Sequence, residues 1–124
     1  MTQEDKELLL RDLSARLPYG VKMSVNDNVE VLQGINIVDN IVEYSSFLAS
    51  EIEDCKPYLF PLSSITEAEK EEYCQLQQRV IYNSKVVVTE DITKYINWCY
   101  KKHLDINNLI PMGLAIDATG LNIY

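Results

Sequence analysis

Leu9, Leu10, Leu13 and Leu17 recur at helical spacing. At about 100° of turn per residue they fall within an arc of about 100°. Glu4, Arg11, Asp12 and Ala15 lie on the other side, and Leu8 stands off the main stripe. Thr2 followed by Asp5 supplies an N-cap and an acidic first turn, and Pro18 and Gly20 end the helix. From Val21 the period drops to two. Val21, Met23 and Val25 alternate with Lys22 and Ser24, the mark of a half-buried strand. Asn26-Asp27-Asn28 is a turn, after which Val29 and Val31 resume the alternation. Gly34 interrupts before Ile35, Ile37 and Val38. Asp39-Asn40 is a second turn signal and Ile41-Val42-Glu43-Tyr44 a third strand. Close strands joined by Asn/Asp turns predict an antiparallel meander.

Residues 45–55 fit two patterns: a short helix through Phe47, Leu48 and Ile52, or a strand extended through Phe47-Leu48. Lys56-Pro57-Tyr58-Leu59-Phe60-Pro61 is extended, because each proline pushes its predecessor out of the α region. Thr66-x-x-Glu69 is a capping box. It opens a helix whose Tyr73, Cys74, Leu76, Val80 and Ile81 share a face, with Asn83-Ser84 closing it. Val86-Val87-Val88 adds a strand or a buried connector. Thr89 caps a last helix, with Ile92, Tyr95, Ile96, Cys99, Tyr100 and His103 on one face. Beyond Asp105 the chain is loop-like to Pro111, then extended at 113–116 and 122–124. The expected fold is α+β, one domain over residues 1–124. It has an N-terminal helix, a small antiparallel sheet of three to five strands, and two further helices packed on one sheet face.

Composition narrows the partners. The chain has 124 residues and a net charge of −8. Residues 1–60 carry 11 acidic against 5 basic side chains. Such a surface repels a phosphate backbone, so nucleic acid is a poor partner. Cys55, Cys74 and Cys99 include no Cys-x-x-Cys pair, which excludes a zinc ribbon or a thioredoxin-like motif. No apolar run reaches membrane-spanning length, and Met1 is followed by Thr2-Gln3-Glu4-Asp5 in place of a basic-then-apolar leader. The expected compartment is a reducing cytoplasm.

Two segments carry a likeness. One runs from Lys56-Pro57-Tyr58-Leu59-Phe60-Pro61 to Thr66-Glu67. The other joins Ile96-Asn97-Trp98, His103-Leu104-Asp105 and Leu109-Ile110-Pro111-Met112-Gly113-Leu114-Ala115. With Leu17-Pro18-Tyr19-Gly20-Val21 and the leading Leu-rich helix, they make the chain resemble a group of short uncharacterised proteins common in gut Bacteroidetes, often in phage or prophage regions. The resemblance implies a mobile-element origin and a bacterial cytoplasm. It brings no activity, cofactor or catalytic residue.

Candidate chemistry is sparse. Cys99 and His103 stand at i and i+4, where a nucleophile pair can meet. Both lie on an apolar face, which favours inert core for the thiol and a bond from His103 to a helix carbonyl. Adding Cys74 and Cys55 gives a Cys₃His set, but its ligands lack paired spacing, so no metal is expected. Glu51, Glu53 and Asp54 cluster, as do Glu67 to Glu72, in the manner of solvated faces. No phosphate-cradling loop or nucleophile elbow occurs, so no catalytic or cofactor-binding residue is assigned. Trp98 falls about 60° outside the apolar arc, toward Lys94 and Lys102. It either packs under the loop from Asn107 to Met112 or, with those lysines, contacts a partner. The leading expectation is a non-catalytic accessory protein acting by protein–protein contact. The rivals are a small carboxylate-based hydrolytic or acid/base enzyme, and a weak single-stranded nucleic-acid binder using Trp98.

Overall fold

The computed structural model describes residues 1–82 and 89–124. Helix α1 spans Gln3–Arg16. Its capping box is reciprocal: the Thr2 hydroxyl accepts from the Asp5 amide at 3.1 Å and the Asp5 carboxylate accepts from the Thr2 amide at 3.2 Å. After a 3₁₀ turn, Gly20 at φ +65° sends the chain into the sheet, a backbone region that glycine enters without a Cβ penalty.

The strands are β1 (Lys22–Val25), β2 (Asn28–Asn36), β3 (Ile41–Tyr44), β4 (Ala49–Glu51), β5 (Cys55–Leu59) and β6 (Ile116–Asp117), in the order β4-β3-β2-β1-β5-β6. Asn26 and Asp27 both have positive φ and join β1 to β2 in a type I′ turn, whose twist matches the strands it connects. At Gly34 the β2–β3 register shifts, and a Cβ there would lie 3.0 Å from a Glu43 carboxylate oxygen.

Two expectations need correction. Among the described residues the sheet has six strands rather than three to five, and it is mixed rather than antiparallel, because β6 runs parallel to β5. A two-residue strand carries no period, so the extended stretch expected at 113–116 gave no sign that Ile116–Asp117 joins the sheet as β6. The expected placing of the later helices also changes. The sheet face formed by Met23, Leu32, Val42 and Leu59 is covered by Leu9 and Leu13 of α1 and by the loop residues Leu109 and Leu114. Helices α2 (Glu67–Tyr82) and α3 (Thr89–Lys101) enclose a second core of Trp98, Cys99 and Leu104 with Tyr73, Leu76 and Phe60. Cys74, expected on the apolar face of α2, is exposed. Residues 45–55 form the tip and return strand of a hairpin, followed by a 3₁₀ turn over Ile52–Asp54. The closing residues Asn83-Ser84 and the Val86-Val87-Val88 run lie outside the described residues, as do the side chains of Val80, Ile81, Thr89 and Ile92.

A polar seam joins the two cores. Asp12, expected on the solvated side of α1, is buried with Arg16. The Arg16 guanidinium donates to both Asp12 oxygens at 2.6 and 3.2 Å, and to the Leu104 carbonyl at 2.7 Å. It also lies 4.8 Å from the Tyr100 ring centroid. Asn107 donates to Asp12 at 2.7 Å. The turn after α3 therefore covers what a lone helix would show to water.

Candidate functional site

Two features of the surface are built rather than incidental. The first is the β3–β4 hairpin. The Tyr44 amide donates to the Leu48 carbonyl at 2.9 Å and the Phe47 amide donates to the Tyr44 carbonyl at 3.0 Å, which leaves Ser45, Ser46 and Phe47 as the turn. Such turns close on a left-handed residue, usually glycine. Here that residue is Phe47, at φ +69°. A bulky side chain in this region costs on the order of 1–2 kcal/mol. Phe47 recovers little of that cost by packing, since it is 95% exposed.

The base beneath the tip is firm. Tyr44 is buried, its hydroxyl lies 2.6 Å from Ser50 Oγ, and burial pushes its phenol above the ordinary range. The Ser45 amide is tied to the Val31 carbonyl at 2.9 Å. A hollow of about 460 Å³ opens beside the tip, lined by Gln33, Glu43, Tyr44, Phe47, Leu48 and Ala49. β4 is the edge strand on this side. Bonds from Tyr44 to Leu48 and from Ile52 to Asn40 fix the alternation, so the amides and carbonyls of Ala49 and Glu51 point away from β3.

The second feature is a cleft of about 410 Å³ where the end of α3 meets the 119–124 segment. α3 ends in a Schellman motif, with the Leu104 amide donating to the Cys99 carbonyl and the His103 amide to the Tyr100 carbonyl, both at 3.0 Å. His103 takes the left-handed position at φ +57°. Its ring stacks on Tyr124, and its Nδ1 is buried without a hydrogen-bond partner. Burial, helped by the positive charges of Arg16 and Lys22, holds His103 down at about 4, so the ring is neutral near pH 7. The Tyr124 hydroxyl accepts from the Lys22 amide and donates to the Tyr58 carbonyl, both at 2.8 Å. It bridges β1 and β5 at the end of their ladder.

No family model, curated protein or solved structure matches this chain.

The residues singled out in the sequence are distributed as follows. Trp98 is 9% exposed, its ring 5.9 Å from that of Tyr73, so the indole packs in the α2–α3 core. Its core includes Leu104 and Ile106, whereas Leu109 of the loop from Asn107 to Met112 belongs to the other core. Lys102 pairs with Glu69 at 3.9 Å, and Lys94 is exposed on α3. Cys99 is fully buried and its thiol is pushed up to about 11 by burial, which leaves it far from the thiolate a nucleophile requires. The expected bond from His103 to a helix carbonyl is made by its backbone amide instead of its ring. Cys55, Cys74 and Cys99 are unbonded. Among the described residues no three His, Cys, Asp or Glu side chains are placed to share a metal ion. No described helix is long and apolar enough to cross a membrane. The sequence pattern did not single out Phe47; the signal was Ser45-Ser46-Phe47, a short polar turn carrying a large aromatic where glycine or asparagine is usual.

Proposed function

We propose that this protein is a non-catalytic accessory protein that works by protein–protein contact, and that the β3–β4 hairpin is its contact surface. One observation carries the reading: an aromatic side chain, 95% exposed, occupies a strained backbone position that asparagine or glycine would fill at lower cost. The fold gains nothing from that choice, whereas large aromatics are favoured anchors at interfaces. Leu48 extends the apolar patch, and the outward backbone groups of Ala49 and Glu51 offer an edge for strand addition. Glu43, Glu51 and Asp54 are exposed nearby. The partner segment is therefore extended, basic, and carries an apolar side chain for the hollow. A bacterial cytoplasm and a mobile-element origin belong to the same proposal; the unbonded cysteines suit that reducing compartment.

The test is a photo-crosslinking amino acid at position 47 in the native host, paired with capture by the unlabelled protein. One partner crosslinked at 47, lost on Phe47→Asn and kept on Val38→Asn, is the expected result. Val38 is the control because it is 91% exposed on a different loop. Equal capture by wild type and Phe47→Asn overturns the hairpin as the contact surface.

A further inference from the structure

The cleft at the end of α3 serves no part of the hairpin reading, yet its chemistry is selective. Its volume of about 410 Å³ lies within the range of small-molecule sites. Phe60, Ile65 and Leu104 give it an apolar floor, and Lys101 and Lys102 stand at its side. Behind that floor Arg16, wholly buried and paired with Asp12, donates to the carbonyl of Leu104. Lys22 approaches from the sheet, its ammonium 5.6 Å from the Tyr124 ring centroid. Glu69 is the one side-chain carboxylate among the described lining residues. In a chain of net charge −8, this is a local concentration of positive charge around an apolar hollow.

We infer that the cleft binds a small organic carboxylate with an apolar body. The apolar part sits on Phe60, Ile65 and Leu104, and the carboxylate meets Lys101 and Lys102. Lys102 can change partners, because its pairing with Glu69 is long at 3.9 Å. Glu69 cannot follow it, because its other oxygen accepts from the Thr66 amide at 3.1 Å in the capping box of α2. Inorganic phosphate lacks the apolar body and leaves the floor uncovered, so it is a poor occupant.

His103 is the chain's single histidine, so its imidazole proton resonance reports on the cleft alone. Phenylacetate is the probe, with phenylacetamide and inorganic phosphate as controls. The expected result is a saturable shift of the His103 resonance by phenylacetate at millimolar concentration and none of that size with either control. Lys102→Gln weakens the binding about tenfold, the scale of one charge-assisted bond. Glu69→Gln tightens it by about two- to fivefold, the scale of a surface pair, while keeping the cap. No saturable shift, an equal response to phenylacetamide, or a response to phosphate alone overturns the inference. So does a Glu69→Gln variant that binds more weakly while its fold is intact by circular dichroism.

Discussion

The imidazole of His103 lies almost flat on the phenol of Tyr124, ring centroids 3.9 Å apart and planes 15° from parallel. A left-handed residue at the end of α3 and a hydroxyl bridging β1 to β5 meet in this stack. It is therefore a join between the second core and the main sheet. A proton placed on His103 enters a half-buried site already facing Arg16 from α1 and Lys22 from β1, with Lys101 and Lys102 of the α3 end nearby. Glu69 is the side-chain carboxylate lining the same cleft, and it pairs with Lys102.

Acid therefore weakens the fold through this group. The folded value is about 4 against an ordinary 6.5, so the unfolded chain binds the proton more tightly. The stabilisation is full above pH 6.5 and is lost as pH falls through about 4. Urea melts at pH 7.0, 6.0 and 5.0 are expected to show falling stability. His103→Asn, which suits the left-handed position, is expected to flatten that fall. An equal slope in both proteins contradicts the assignment.

Phe47→Asn is expected to raise stability by about 0.5–1 kcal/mol while removing partner capture. It relieves a strained φ of +69° and gives up almost no buried surface. Urea midpoints measure the first effect. A loss of stability shows that Phe47 packs inward.

Asp12→Ala is expected to cost about 3–5 kcal/mol, because it leaves the buried Arg16 guanidinium without its counter-charge. Joining it with Arg16→Met is expected to recover part of that loss. A double-mutant cycle in urea measures the coupling.

The two helix leucines separate by burial. Leu13 is wholly buried in the main core, so Leu13→Ala is expected to cost about 2–5 kcal/mol. Leu76 is partly buried against the second core, and Leu76→Ala is expected to cost about 1–2 kcal/mol. Equal losses mean that the second core is tighter than its exposure indicates.

A thiol reagent distinguishes the three cysteines. Cys74 is exposed and is expected to react at once in the native protein. Cys55 and Cys99 are buried with raised thiol values, and they are expected to react only at the rate of unfolding. Rapid labelling of Cys99 that depends on His103 returns the cysteine-nucleophile reading to consideration.

Periodic segments were legible in the chain and irregular ones were not. The leucines of α1 and the alternation in β1 and β3 report burial directly, because one face of each element meets one core. Leu104, Leu109 and Leu114 are equally buried, but they lie in turns with no repeat to expose them. Asp105 holds part of that loop by accepting from the Leu109 and Ile110 amides at 2.8 and 2.9 Å, a local contact that hydrophobicity cannot reveal. Asp12 and Trp98 were hard to place for another reason. Each lies off its helix's apolar stripe and is covered by a second element that no single-helix pattern contains.

The Asp12–Arg16 seam sets how the halves of the molecule can move. Leucines meeting at a joint can slide by a fraction of a turn and repack at small loss. A guanidinium held by Asp12 on its own helix cannot, because its bond to the Leu104 carbonyl holds only in one alignment. The α2–α3 wedge is thus keyed to α1 in a single register. Loosening of the wedge reaches the first helix as the loss of the Arg16–Leu104 and Asn107–Asp12 bonds, which uncovers a charge pair internal to α1, and not as a graded loss of contact. The joint makes the boundary between the two cores a fixed point of the fold rather than a sliding surface.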